Sequence, residues 1–374
     1  MPFRETRHNK EGLVGIGIDI TERCSWDCPV CFAVKTPRDM DFEVYQQIVD
    51  QGSILDFPEL YILGGEPGMR SDILDILKYG TKKFPLVFFV TNMEIMAKEV
   101  MCQQIAEMGV IVAGQRHTMS DNEKSRQTEC LLTGGDHLAS NHAGWKNVEK
   151  YFPSDHICVQ CCITQPVVKS GSIFEVFKWA RAKGYEAVME FTKEGQRFKR
   201  GCSLDVSPTE MIKTLEEFQR IEREELNLPG AKLLSPQTYD KTCHMQESSI
   251  HFQVTGQAIP CVGFPGLSYG NIMTSSLRQI LDHPLREHVK NPKNWIYGYC
   301  SQECSYFEQC TGGCRGSAFD ITGCYRSSFY YCPHIPHDKL NISDMIPRTC
   351  EGCPLEGNLT CNPKRNAKKL LYQQ

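Results

Sequence analysis

Residues Ile20–Phe32 read ITERCSWDCPVCF, and the rest of the chain is organised around them. Cys24, Cys28 and Cys31 stand in the spacing C-x3-C-x2-C. Three thiolates this close on one loop can hold three irons of a 4Fe–4S cubane, which leaves the fourth iron without a protein ligand. An open iron can take a small chelating molecule. A zinc site short of one ligand, or three ordinary thiols, are the other chemistries these residues allow. Leu13–Ile20 (LVGIGIDI) comes just before the loop, an apolar, β-branched run that predicts a strand.

Downstream, the chain alternates. Asp41–Gly52 has a helical mix, and a strand at Leu60–Leu63 runs into Gly64-Gly65-Glu66-Pro67. Glycines let a backbone approach a ligand closely, and the glutamate supplies an acceptor. A helix at Asp72–Lys82 leads to a third strand, Leu86–Val90, ending in Thr91-Asn92. A helix near Ala97–Met108 and a fourth strand near Val110–Ala113 follow, then a long polar stretch, Gly114–Gly135. A fifth strand at Ile157–Ile163, a helix at Ile173–Lys183 and a sixth strand at Ala187–Phe191 complete six units. Strands alternating with helices predict an α/β fold with parallel strands and crossover helices, whose chemistry sits at the strands' carboxyl ends. Ser207 and Glu210 form a predicted capping box that opens a charged helix, which Leu228-Pro229-Gly230 stops.

The 374-residue chain is 41% apolar, with a formal net charge of −4, and has no run of 18 apolar residues. It has the apolar content for a sizeable core, and nothing points to nucleic acid, an anionic membrane or a transmembrane helix. Met1–Gly12 lacks the apolar core of a secretory signal, so the expected location is a reducing cytoplasm. There, 20 cysteines read as metal binding rather than disulfides. Cys243 and Cys261 frame Gly256 as C-x12-G-x4-C. Cys300, Cys304, Cys310, Cys314 and Cys332 follow as C-x3-C-x5-C-x3-C-x17-C, and the tail adds Cys350, Cys353 and Cys361. Seven cysteines in these two patterns exceed one structural zinc site. The tail cysteines can hold a third metal with Cys324 or stand as free thiols on a loose tail. Cys102, Cys130, Cys158, Cys161, Cys162 and Cys202 read as small buried hydrophobes.

The cysteine loop after an apolar strand, followed by GGEP, resembles the radical S-adenosylmethionine (SAM) enzymes. The later cysteines, with Tyr269-Gly270-Asn271-Ile272 and Thr311-Gly312-Gly313 among them, resemble the SPASM extension of that family. The x3 between Cys300 and Cys304 departs from the usual x2, which one loop residue absorbs. The resemblance covers about residues 13–335. It implies a partial (β/α)6 barrel followed by a small cysteine-rich domain. The expected divisions are an N-terminal extension (1–12), barrel (13–206), bridging helix (207–230), SPASM domain (231–335) and tail (336–374).

The resemblance also implies roles. SAM would chelate the open iron and be cleaved reductively to a 5′-deoxyadenosyl radical, with flavodoxin or ferredoxin as electron donor. Gly64, Gly65, Glu66 and Pro67 would hold the SAM amino group, with Thr91 and Asn92 at the next strand end. Of two auxiliary 4Fe–4S clusters, one would take Cys243, Cys261 and Cys314, the other Cys300, Cys304, Cys310 and Cys332. The first then lacks a cysteine, and Cys324, His244, His251, substrate or solvent can fill the vacancy. His117, after the fourth strand, and Glu190, ending the sixth, are the candidate substrate or SAM contacts. The expected activity is that of an oxidoreductase taking hydrogen from a small polar metabolite, sugar- or aminocyclitol-like, with dehydrogenation, epimerisation or rearrangement as outcome. The segment Gln115–Gly135 carries that reading. The alternative is a maturase of a peptide or protein side chain. Only 23 residues precede Cys24, too few for a leader-binding domain.

Overall fold

The computed structural model describes residues 7–193, 197–198, 202–230, 245–264, 266–310, 312–332, 334–336, 338–340, 342–347, 353 and 355. Cys243, His244, Cys350 and Cys361 lie outside the described residues. The strands are β1 (Gly15–Asp19), β2 (Glu59–Leu63), β3 (Leu86–Thr91), β4 (Ile111–Gln115), β5 (Ile157–Ile163) and β6 (Glu186–Phe191). They pair in parallel, each with its sequence neighbour. The main helices between them are α1 (Phe42–Ile54), α2 (Ile73–Thr81), α3 (Glu99–Glu107), α4 (Glu123–Thr133), α5 (Leu138–Tyr151) and α6 (Ser172–Ala182). The six expected strands and the parallel order are therefore present.

Two features were not legible. The stretch expected as a long polar loop contains α4, and α5 fills the next gap. At the other edge, β7 (Ser249–Phe252) pairs parallel to β1, and β8 (Gln257–Ile259) and β9 (Gly270–Asn271) continue antiparallel. The sheet order is β6-β5-β4-β3-β2-β1-β7-β8-β9, and the sheet is open. The described part of the segment after residue 230 thus contributes strands to the same sheet.

Alternation along each strand separates two faces. Ile16, Ile18, Leu60, Ile62, Val112 and Val159 are wholly buried beneath the helices. Each such side chain contributes about 1.5–3 kcal/mol by leaving water. The other face is half-buried: Asp19, Tyr61, Leu63, Gln115, Gln160, Cys162 and Glu190. Register aligns Gln115 with Gln160 and Cys162 with Glu190, so these residues share one face of the sheet.

The helix Pro208–Arg220, α7, opens with the expected capping box, Ser207 and Glu210 bonding reciprocally. A buried ion pair, Arg181 Nε to Glu222 Oε1 at 2.7 Å, ties α6 to the turn that follows α7. No described helix is long and apolar enough to cross a membrane.

Candidate active site

The cysteine loop leaves the carboxyl end of β1 and is clamped at its base. Arg70, 8% exposed, donates from Nη1 to the carbonyls of Ile20 (2.9 Å) and Met40 (2.6 Å) and forks onto Asp72. Arg23 forks onto Asp39 at 2.9 and 2.7 Å, and Asp39 also accepts from the Thr21 hydroxyl at 2.5 Å. The Cys31 amide donates to the Cys28 carbonyl at 3.1 Å, which turns the loop back on itself. Burial pushes the Cys28 thiol up to about 12, and its neighbours Cys31 and Cys24 push the same way. Burial raises Cys24 too, although the Trp26 amide donates to its sulfur and lowers it. Of the charges felt by both thiols, the cation is Lys35. Thiols crowded and buried like this become thiolates only when a further cation joins them, and bound iron supplies that charge. Among the described residues no three Cys, His, Asp or Glu groups already stand as a formed metal centre. The donor chemistry of the loop nevertheless fits an iron–sulfur cluster: clustered sulfurs, a backbone amide aimed at one of them, and little counter-charge.

The GGEP turn does something the sequence did not disclose. Its glycines approach the backbone of the cysteine loop. Gly65 N donates to Thr21 O and Glu66 N to Arg23 O, both at 2.7 Å. A Cβ on Gly65 would lie 2.1 Å from the Arg23 carbonyl oxygen, and one on Gly64, at φ +135°, 2.2 Å from that of Thr21. Glu66 then reaches across to β3. Its Oε1 accepts from Gly68 N and the Thr91 hydroxyl, both at 2.8 Å, and its Oε2 accepts from Asn92 N at 2.6 Å. Asn92 Nδ2 donates to Ser25 Oγ at 3.0 Å, back on the cysteine loop. Three segments distant in sequence are thereby joined around one buried carboxyl.

Burial raises the Glu66 carboxyl to about 7, against the three hydrogen bonds that favour its charged form. The sign follows from linkage. A carboxyl whose folded value lies above its unfolded value adds stability that is full below about 4.5 and is lost as pH rises through about 7. Unfolding free energy of wild type is therefore expected to fall between pH 5 and 8 relative to Glu66→Gln, by up to roughly 3 kcal/mol. Parallel urea curves for the two proteins across that range would contradict this.

A second network was invisible in the sequence. Glu94 accepts from Ser25 Oγ (2.5 Å) and Trp26 Nε1 (3.0 Å), and its Oε1 lies 2.7 Å from His137 Nδ1. Trp26 packs between His137 and His117, with ring centroids 5.3 and 6.2 Å away. His117 is buried, and its Nδ1 lies 3.1 Å from Glu129 Oε2 on α4. Burial acts to raise Glu129, but the nearby His117, His142 and His137 outweigh it and hold the carboxyl low. Helix α4 ends at Gly134 against Asp27, whose amide donates to Thr133 O at 2.7 Å. So His117 belongs to the wall behind the cysteine loop. Arg116 beside it lies over Trp179, 4.5 Å from the ring centre, and desolvation lowers it to about 10.

Glu190 lies at the end of β6, half-buried and opposite Cys162. Burial raises the Cys162 thiol, and the charges of Glu190, Cys28 and Cys31 act on it in the same direction. This face of the sheet thus comes near the cysteine loop at Cys162. Its half-buried setting differs from that of Cys102, Cys158 and Cys161, which are buried as expected, and Cys202 is exposed rather than buried.

In the carboxyl-terminal region, Cys300, Cys304, Cys310 and Cys332 line one cavity with Tyr306, Phe307, Gly312, Gly313, Phe329 and His334. Backbone amides aim at three of the sulfurs: Tyr306 and Phe307 at Cys304, Gly312 and Gly313 at Cys310, and His334 at Cys332. Buried Arg315 holds the adjoining loops through the carbonyls of Tyr325 (3.0 Å) and Ser327 (2.7 Å). Cys261 and Cys314 are also buried, and Gly263 abuts Gly316, so their segments touch. Cys324 is buried at 1% exposure. Cys353 is buried rather than loose, and Tyr325 senses both it and Cys261. His251 sits in β7 against β1, Nε2 2.9 Å from Asp19 Oδ2, which places it on the same face of the sheet as Asp19.

No protein-family model matches the chain. An AdoMet-dependent heme synthase of Methanosarcina barkeri (strain Fusaro) is 24% identical over 358 residues, spanning 87% of this chain and 97% of that protein. Among solved structures, native anSMEcpe with bound AdoMet (SAM) superposes with a TM-score of 0.67 at 16% identity, over 85% of this chain and 93% of that one. Streptococcus suis SuiB bound to S-adenosylmethionine gives a TM-score of 0.61 at 15% identity, over 82% and 74%. The chain therefore shares its fold with anSMEcpe and SuiB, both solved with AdoMet bound, which is the fold the resemblance implied.

Proposed function

We propose that this chain is a radical SAM oxidoreductase acting on a small polar molecule. The observation that carries this reading is the half-buried polar face of the sheet, where Gln115, Gln160, Cys162 and Glu190 lie, with Cys162 near the cysteine loop. When bound, a 4Fe–4S cluster and SAM supply a 5′-deoxyadenosyl radical for hydrogen abstraction. The protein's part is to hold and screen them. Cys24, Cys28 and Cys31 ligate three irons. Glu66, with the amides of Gly64 and Gly65, Pro67, Thr91 and Asn92 around it, offers the SAM amino group its remaining acceptor capacity. Trp26, His117 and Glu129 close the loop from behind. Glu190 faces the substrate.

Cys300, Cys304, Cys310 and Cys332 would hold one auxiliary cluster, and Cys243, Cys261 and Cys314 a second; such clusters would supply a site able to accept or pass on an electron. The expected electron donor is a carrier of the flavodoxin or ferredoxin kind. The heme synthase relative favours a small-molecule substrate. The maturase reading is favoured by other neighbours of the same fold, anSMEcpe with a bound Cp18Cys peptide and SuiB bound to the precursor peptide SuiA. Mass spectrometry of the reconstituted protein with SAM and dithionite, given metabolite extract or peptide fractions, separates the two. A SAM-dependent change confined to peptides would overturn the first reading.

Two variants test the assignments. Glu66→Gln keeps size but turns an amide toward the Asn92 N–H, and SAM binding should weaken by roughly 1–3 kcal/mol; equal affinity by calorimetry contradicts the contact. Cys324→Ala should leave iron content and the electron paramagnetic resonance of the reduced protein unchanged, because the second auxiliary cluster keeps an open or substrate-ligated iron. Loss of one signal together with its iron would make Cys324 the fourth ligand.

A further inference from the structure

We propose that His334 donates a hydrogen bond from Nε2 into the cavity of Cys300, Cys304, Cys310 and Cys332 and sets the reduction potential of the cluster held there. The inference rests on the assignment of a cluster to those four cysteines. His334 lies on the wall of that cavity. Its ring is fixed by stacking on Tyr306, centroids 4.2 Å apart and planes at 25°. Its Nε2 is buried and has no hydrogen-bond partner. A buried ring nitrogen left unpaired is costly, so a fixed ring with an orphaned nitrogen beside a cavity points to a partner within that cavity.

The chemistry of the wall says what the partner is. The backbone amide of the same residue already points at Cys332 Sγ. Amides of Tyr306, Phe307, Gly312 and Gly313 point at Cys304 and Cys310 in the same way. The cavity is therefore ringed by N–H donors around cysteine sulfurs, and Nε2–H adds one from a side chain. Nδ1 is left as the ring's acceptor. Hydrogen bonds to cluster sulfur stabilise the charge added on reduction, so they raise the potential. His334 acts through the cluster and is a positioning residue.

The test is a redox titration followed by electron paramagnetic resonance on the full-length reconstituted chain. The relevant signal is the one lost, with about four irons, in the Cys304→Ala, Cys332→Ala double variant. His334→Phe keeps a stacking ring and removes the donor. It should retain wild-type iron and shift that one signal to a more negative potential. His334→Gln, whose amide nitrogen reaches the position of Nε2, should recover most of the shift. Full iron with an unmoved potential in His334→Phe overturns the inference and leaves the cluster assignment standing. Loss of the cluster's iron in both His334 variants makes the residue a ligand or a structural support and also overturns it. Unchanged iron in the double cysteine variant removes the cluster from this cavity, and the inference with it.

Discussion

Replacing Cys24, Cys28 and Cys31 together with alanine is expected to remove about four irons, one cubane, from the reconstituted protein while the auxiliary clusters stay. The expectation follows from where the loop sits. Its base is clamped by Arg70 and the Arg23–Asp39 fork, and its flank by Glu94, none of which uses a thiol. The fold should therefore survive the triple change. The cavity of Cys300, Cys304, Cys310 and Cys332 belongs to a separate part of the chain and should load independently. Iron analysis and the absorption of the reconstituted variant check this. Unchanged iron would remove the cluster from the loop.

Gly65→Ala is expected to be nearly as damaging, though it removes no iron ligand. The new Cβ would meet backbone, the Arg23 carbonyl, one residue before Cys24. A flexible side chain would yield, but this carbonyl is held by the amide of Glu66 at 2.7 Å. The loop must shift or the turn must open. Overpacking typically costs about 1–3 kcal/mol, and a clash with fixed backbone belongs at the upper end of that range. Because the shift falls on Cys24, the variant should lose the loop's iron even where it folds. Chemical denaturation and iron content check both halves. Wild-type values in each would show that the turn and the loop are not rigidly joined.

What the sequence revealed and what it hid have physical reasons. Strands β1 to β6 are buried on the helix side and rich in Ile, Val and Phe, so their apolar runs stand out. The capping box of α7 is local, three residues from donor to acceptor, and was legible for that reason. Helix α5 was missed because its buried positions include Asn141 and Gly144 among polar neighbours. Gly144 is there because a Cβ would sit 2.4 Å from the Met93 carbonyl oxygen. Strands β7 and β8 have four and three residues, and their assignment depends on pairing with β1 far away in sequence. The two glycines of GGEP were read as a close approach to a ligand, and their close approach to the cysteine loop was not legible. Glu94 lies 69 residues from Ser25, too far for any spacing rule to join them. Of the cysteines lining one cavity, Cys300, Cys304 and Cys310 are close in sequence, whereas Cys332 joins them only through the SPASM resemblance and, in the structure, through packing. The orphaned nitrogen of His334 was not legible, because only packing reveals it.

The central claim is that the Cys24–Cys28–Cys31 loop cleaves SAM reductively. Its most direct test is mass spectrometry of 5′-deoxyadenosine formed from SAM and dithionite by the anaerobically reconstituted protein, with the triple alanine variant beside it. The account predicts 5′-deoxyadenosine from wild type and none above background from the variant. Equal amounts from both, or none from a wild-type protein carrying its full iron, would contradict it.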